Sequence, residues 1–365
     1  MTDVQRAPKP QFPTLGPVLL AAVLFGATAP LCKLLLGDAA PLPLAALLYL
    51  GSGVGLAAWM AFRRLAGASV DAGPGLSGTD WLVVGGAVAA GGVAAPILFL
   101  LGLSHAEAST ASLLLNLEMV FTAVLAWTLF REGFEGRVAG GLVIVLAGCL
   151  VLAWPASGIQ AVGAGVLPVA AACLCWGLDN NLTQRLADRD PIRIAAVKGL
   201  AGGSVSAALA LLSGQAFPAA APLLAALCVG LCGYGISLVL FIVSLGRIGT
   251  ARTIGAFAAA PFVGAGLSLL VLGEAPSLSL FVAAMVVLVG LVVALGGRHV
   301  HGHTHETVVH AHRHQHDEHH KHAHQDGDGN DEPHEHVHSH YPLEHTHPHY
   351  PDTHHRHGHS GPAQK

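Results

Sequence analysis

Six residues have types that do not suit their surroundings. Asn116 and Glu118 lie within one apolar run, Asp179, Asn180 and Asn181 follow one another in a second, and Lys198 lies in a third. An ionisable side chain near the centre of a bilayer costs about 2.5–3.5 kcal/mol on insertion scales, so each needs a partner, a cavity or a task. Acids and amides so placed can bind a polar solute, relay a proton or hold a cation. The competing reading is structural: Asp179 or Glu118 pairs with Lys198 to fix helix against helix, and the asparagines hydrogen-bond between helices. Residues two apart on a helix point about 200° from each other, so Asn116 and Glu118 cannot both face one cavity fully. Asp179 shares a face with Cys175 and Thr183, and Asn180 with Trp176 and Gln184.

The histidines form a second group. Of 24 in the chain, 23 lie between His299 and His359. They alternate with other residues at His299, His301, His303 and His305, at His310, His312, His314 and His316, and at His334, His336, His338 and His340, with His319, His320, His322 and His324 between. Neutral imidazole ligates Zn, Ni, Co and Cu, so this segment is expected to bind divalent transition metal, although the fold requires no cofactor. Histidine titrates near about 6.5, so metal would be released on acidification. The segment is poor in Leu, Ile and Phe, with Pro, Asp, Gly and Glu interspersed, a composition that predicts disorder in the absence of ligand.

Both groups need elements to position them, and the composition says which. Of 365 residues, 53% are hydrophobic and 11% charged, against about a quarter charged in a soluble domain. Runs of about 20 residues, enough to cross a hydrocarbon core, fall at 15–36, 42–62, 81–102, 106–130, 136–155, 162–186, 192–213, 222–245, 250–273 and 277–296. The expected fold is all-α, with ten spans in the bilayer. Arg63 and Arg64 follow the second, Arg131 and Arg137 the fourth, Arg185, Arg189 and Arg193 the sixth, Arg247 the eighth and Arg298 the tenth. Basic residues gather on the cytoplasmic side, so both termini are expected in the cytoplasm, with a bacterial inner membrane the expected location. Lys33 and Arg252, near span ends, are expected to snorkel to the interface.

Net charge is about +1 up to residue 297 and −5 beyond it with histidines neutral, which excludes a nucleic-acid partner. Cys32, Cys149, Cys173, Cys175, Cys228 and Cys232 all lie in apolar runs, and are read as buried thiols. No Gly-x-x-x-x-Gly-Lys-Ser/Thr loop is present, so the chain carries no ATP engine of that type and is read as a carrier, not an enzyme.

The chain also repeats itself. Phe25-Gly26 to Leu35 lies against Trp176-Gly177 to Leu186, sharing an aromatic, a glycine and two leucines, and Ala106–Gly133 lies against Ile248–Ala275, pairing Glu132 with Glu274 and Met119 with Pro261. Five spans is an odd number, so the second copy enters the membrane from the opposite side, as an inverted repeat. Thr28 stands opposite Asp179 and Ala260 opposite Glu118, so each acid belongs to one half only. Glu132 and Glu274, at span ends, are expected to terminate helices.

This five-plus-five arrangement, with Arg131-Glu132 and Gly273-Glu274 closing its fourth and ninth spans and Pro261 thirteen residues ahead of the second Glu, resembles the drug/metabolite transporter superfamily built from EamA-type repeats. Met119 departs from it by standing where a proline is common. The resemblance implies repeats at 15–155 and 160–297; the basic residues add a short cytoplasmic N-terminus at 1–14, and the histidines a disordered tail at 298–365. It also implies secondary transport of a small molecule. With the histidines, the expected cargo or regulator is a divalent transition metal, the alternatives being an organic metabolite or drug exporter with an accessory metal buffer, or a membrane-bound metal sensor. The expected partners are the lipid bilayer, a small-molecule or metal-ion substrate and a second copy in a homodimer.

Overall fold

The computed structural model describes residues 12–67, 76–129, 136–154, 162–186, 189–248, 250–295, 299–305, 309–314, 334–339 and 343–349. They fall into two compact units, Met1–Gly296 and Gly297–Lys365.

The described residues of the first unit form ten helical spans. Span one is Phe12–Gly26 and Thr28–Leu35; span two is Pro41–Leu65; span three runs from Gly78 to His105; span four is Ala108–Leu114 and Leu117–Leu129; span five is Gly136–Ala153. Span six runs from Val162 to Gln184; span seven is Pro191–Leu212; span eight runs from Ala220 to Ile248; span nine is Thr250–Phe257 and Ala260–Val271; span ten is Leu278–Leu295. Nine of the described helices are long and apolar enough to cross a membrane. Span six falls short of them because Asp179, Asn180, Asn181 and Gln184 crowd its second half.

Local chemistry sets the ends. Spans two and seven both open on a proline, Pro41 and Pro191, where a missing N–H costs nothing and φ is already helical. The Asp190 side chain accepts hydrogen bonds from the Ile192 and Arg193 amides at 2.9 and 3.3 Å, and Ser77 and Asp80 form a reciprocal capping box on span three, satisfying amides that the helices leave orphaned.

The arrangement keeps the predicted symmetry. Span seven lies along span two, and span ten along span five. Span six lies against spans three and four, and span one against their counterparts, eight and nine. Small residues bring the first pair close: a Cβ on Gly199 would sit 2.7 Å from the Gly53 Cα, a distance no real side chain tolerates. With no hydrophobic drive between helices in lipid, such backbone proximity supplies the cohesion.

In the second unit, His299–His305 pairs antiparallel with Leu343–His349, and Val309–His314 with His334–Ser339. The expectation of disorder concerns the whole tail free of ligand; among the described residues these four segments lie as paired strands. The register sets histidine opposite histidine: His299 and His349, His301 and His347, His303 and His345, then His310 and His338, His312 and His336, His314 and His334.

Gly199→Val is expected to lower stability by about 1–3 kcal/mol, measured as thermal unfolding in detergent, whereas Gly140→Ala, with nothing within 4 Å of the new methyl, is expected to leave it unchanged.

Candidate functional site

Breaks in the helices build the site. Span four is interrupted at Leu115 and Asn116, where backbone bonds tighten to Leu115 N–Ser112 O at 3.2 Å and Asn116 N–Leu113 O at 3.2 Å. The buried Asn116 side chain turns back and donates to the Leu113 carbonyl at 2.8 Å. Span nine breaks at the equivalent place, between Phe257 and Ala260, with Pro261 in the first turn of its second half. Spans three and eight instead widen into π-helix, at Val88–Ala94 and Leu231–Ile236.

Glu118 sits in the first turn after the break in span four. Its Oε1 accepts a hydrogen bond from the Asn180 amide at 2.8 Å, and the same amide lies 3.3 Å from the Thr122 hydroxyl. Asn181 is buried and donates to the Thr122 carbonyl at 3.0 Å and the Gly177 carbonyl at 2.8 Å. Asn116 and Asn181 therefore hold backbone together, while Asn180, on the exposed side of span six, binds Glu118.

Asp179 and Lys198 meet. The ammonium lies 2.6 Å from each carboxylate oxygen, and the Thr183 hydroxyl donates to Oδ1 at 3.0 Å. Asp179 is 5% exposed, and its carboxylate occupies the space a side chain on Gly91 would need. The symmetric contact exists too: a Cβ on Gly233, in the π-helical turn of span eight, would strike Thr28, the residue that stands opposite Asp179 in the repeat. The glycine of span three thus faces one member of an ion pair, and the glycine of span eight faces a methyl.

The Tyr49 hydroxyl donates to the Gly91 carbonyl at 2.5 Å and accepts from the Trp176 indole at 3.3 Å. Tyr49 lies 5.6 Å, centroid to centroid, from Tyr234, which meets Phe25 edge-on at 6.1 Å, and Phe25 lies 5.4 Å from Phe257. An aromatic row therefore links spans six, two, eight, one and nine. Sequence reasoning missed Tyr49, Gly91, Thr122 and Tyr234, the first three because they sit inside otherwise unremarkable apolar runs.

Several expectations need correction. The Lys33 ammonium donates to the Leu103 and Ala106 carbonyls, at the end of span three, at 2.7 and 2.8 Å. Glu274 does more than end its own helix, because its two carboxylate oxygens accept from the Ala108 and Ser109 amides at 2.6 and 2.9 Å, capping span four. Cys228 is exposed and Cys175 and Cys232 are half-buried, so only Cys32, Cys149 and Cys173 fit the reading as buried thiols. Glu132 lies outside the described residues. Among the described residues no group of three or more His, Cys, Asp or Glu is placed to hold a metal ion.

Two five-span repeats with broken helices and a polar cluster where they meet define a membrane carrier of the inverted-repeat kind. The EamA-like transporter family matches residues 15–154 and 163–296, and the chain belongs to that family. It is 27% identical over 292 residues to an uncharacterized transporter of Methanothermobacter thermautotrophicus (strain Delta H), covering 76% of this chain and 84% of the other. A solved crystal structure superposes with a TM-score of 0.56 at 26% identity, covering 76% of this chain and 95% of that one.

Lys198→Met is expected to destabilise the protein by about 3–5 kcal/mol, because it strands the Asp179 carboxylate. Adding Asp179→Asn is expected to recover most of that loss in thermal unfolding, since the pair is then removed as a unit.

Proposed function

We propose that this transporter moves a small organic solute by alternating access, along a path that runs past Glu118, Asn180 and the ion pair of Asp179 and Lys198. The observation that carries this reading is the asymmetry of the cluster. Two halves that share scaffold duties have no packing need for acids in one copy only, while a polar solute does need fixed partners in the bilayer. Half-helices at the centres of spans four and nine support the same reading, because discontinuous helices line substrate sites in repeat-built carriers. The energy source is a solute or ion gradient.

The tail binds Zn, Ni, Co or Cu and ties transport to the supply of that metal. Its donor set suits the role: imidazole is a good ligand for these ions, and 23 of the 24 histidines of the chain lie there. A carrier whose cargo is the metal itself is the second reading. It is favoured by the density of histidines in residues 299–365. Both termini lie in the cytoplasm in this proposal, so the tail meets the cytoplasmic metal pool, and a homodimer is compatible with it.

Liposomes containing the purified chain are expected to accumulate one or more organic compounds from a small-molecule cell extract, read by mass spectrometry of the lumen, without added ATP. If no organic compound enters and a divalent ion does, the second reading replaces the first; if neither enters, the carrier proposal fails. A chain lacking residues 299–365 is expected to keep its solute flux and lose any response of that flux to added Zn, Ni, Co or Cu.

A further inference from the structure

Three half-helices meet at one corner of the first unit. Span one breaks at Ala27, span four at Leu115 and Asn116, and span nine between Phe257 and Ala260. Pro30 and Pro261 account for two of these breaks, because neither has an N–H for the carbonyl four residues earlier. Beyond the breaks, Thr28–Leu35, Ala108–Leu114 and Ala260–Val271 pack on one another. Ser112 faces Gly264, where an added Cβ would sit 2.8 Å from its hydroxyl, and Ala108, Ser109, Ala111, Ser112, Leu113 and Leu114 are all buried. Charge ties the far ends. Gly273, at φ 66°, turns the chain after span nine, and Glu274 then accepts from the Ala108 and Ser109 amides at 2.6 and 2.9 Å. Lys33 donates to the Leu103 and Ala106 carbonyls just before the same turn, and Glu274 and Glu107 act on it electrostatically.

The opposite ends of spans four and nine are arranged differently. Leu117–Leu129 of span four lies along span six, where a Cβ on Gly177 would sit 2.9 Å from the Thr122 amide nitrogen. Thr250–Phe257 of span nine lies on spans one and eight, with the Phe257 ring 4.9 Å from that of Phe241. Among the described residues these two half-helices do not pack along one another. The repeat exchanges span four with span nine, so a contact made at one end has a symmetric counterpart at the other, and here only one of the two is formed. An inverted repeat closed to one side and open to the other has this asymmetry.

We propose that the corner closed by Glu274 is a gate, shut in this structure, and that Glu274 is the residue that holds it shut. The second half of span nine and the first half of span four part there, turning at their breaks, when the path opens to that side. This assignment rests on the carrier reading above and adds which end is closed and what closes it. Glu274 suits the task because its carboxylate makes two charge-assisted bonds to a half-helix of the other repeat, and those amides have no partner within their own helix. It touches no cargo: it is a positioning residue for the transport cycle. In the proposed orientation this is the outer end.

The test reads both ends at once in the full-length chain in lipid nanodiscs, where a charged maleimide reaches either face. Ser112→Cys reports on the gate: the residue is 1% exposed, and its hydroxyl has no hydrogen-bond partner among the described residues, so no bond is lost. Thr122→Cys, half-buried on the second half of span four, reports on the opposite end. Mass spectrometry of each labelled peptide separates both positions from the native cysteines. Position 122 is expected to react faster than position 112. Adding Glu274→Gln is expected to speed labelling at 112 by at least about tenfold, the population shift that follows loss of a charge-assisted hydrogen bond, and to slow it at 122. Lys33→Met, which frees the same turn from the other side, is expected to give the same opposed change and serves if Glu274→Gln does not fold. Equal rates before either change, an unaltered rate at 112, or a rise at 112 without a fall at 122 overturns the gate, the last because a fold that has merely loosened exposes both ends. The extract experiment keeps the two levels apart: solute that accumulates without an opposed change in labelling sinks the gate and leaves the carrier standing, whereas an empty lumen sinks the carrier and the gate with it.

Discussion

Hydrocarbon offers a backbone no hydrogen-bond partner, so every interruption of a spanning helix must be satisfied by the protein itself. That constraint explains where the side chains of this molecule go. The break in span four is closed by the Asn116 amide on the Leu113 carbonyl. The wide turn of span three gives its Gly91 carbonyl to Tyr49, and Asn181 ties the Gly177 carbonyl of span six to the Thr122 carbonyl of span four. Tyr49 and Asn181 also tie one helix to another, whereas Asn116 acts within its own span.

Symmetry makes the remaining differences informative. Spans two with seven and five with ten lie against their own counterparts, while spans one and six each rest on the third and fourth helices of the other copy's pattern. Within that frame Gly91 and Gly233 are matched, and so are the helix breaks of spans four and nine. Asp179 against Thr28 and Glu118 against Ala260 are not. The two halves thus keep matched glycines and kinks while differing at these two acids.

Much of this was legible in the sequence. Hydropathy and an odd-numbered repeat sufficed for ten helices in two halves, and Asp179, Glu118 and Lys198 announced themselves by being charged in the wrong solvent. Which acid takes the lysine was not legible, because it depends on how span seven lies against span six, and sequence spacing carries no such angle. Tyr49 and Tyr234 were hidden for another reason: an aromatic in an apolar helix has no distinguishing period, and only the fold brings five such helices to one row. Span six shows the limit of hydropathy itself, since it is the span that falls short of the apolar character of the other nine.

The turn between spans three and four has one more consequence. Lys33 grips the last carbonyls of span three from the first repeat, and Glu274 grips the first amides of span four from the second. The start of a helix has no partners of its own for those amides, so swinging span nine away from this corner would strand a carboxylate and two N–H groups together. Such a contact couples the end of span nine to the start of span four through three groups at once.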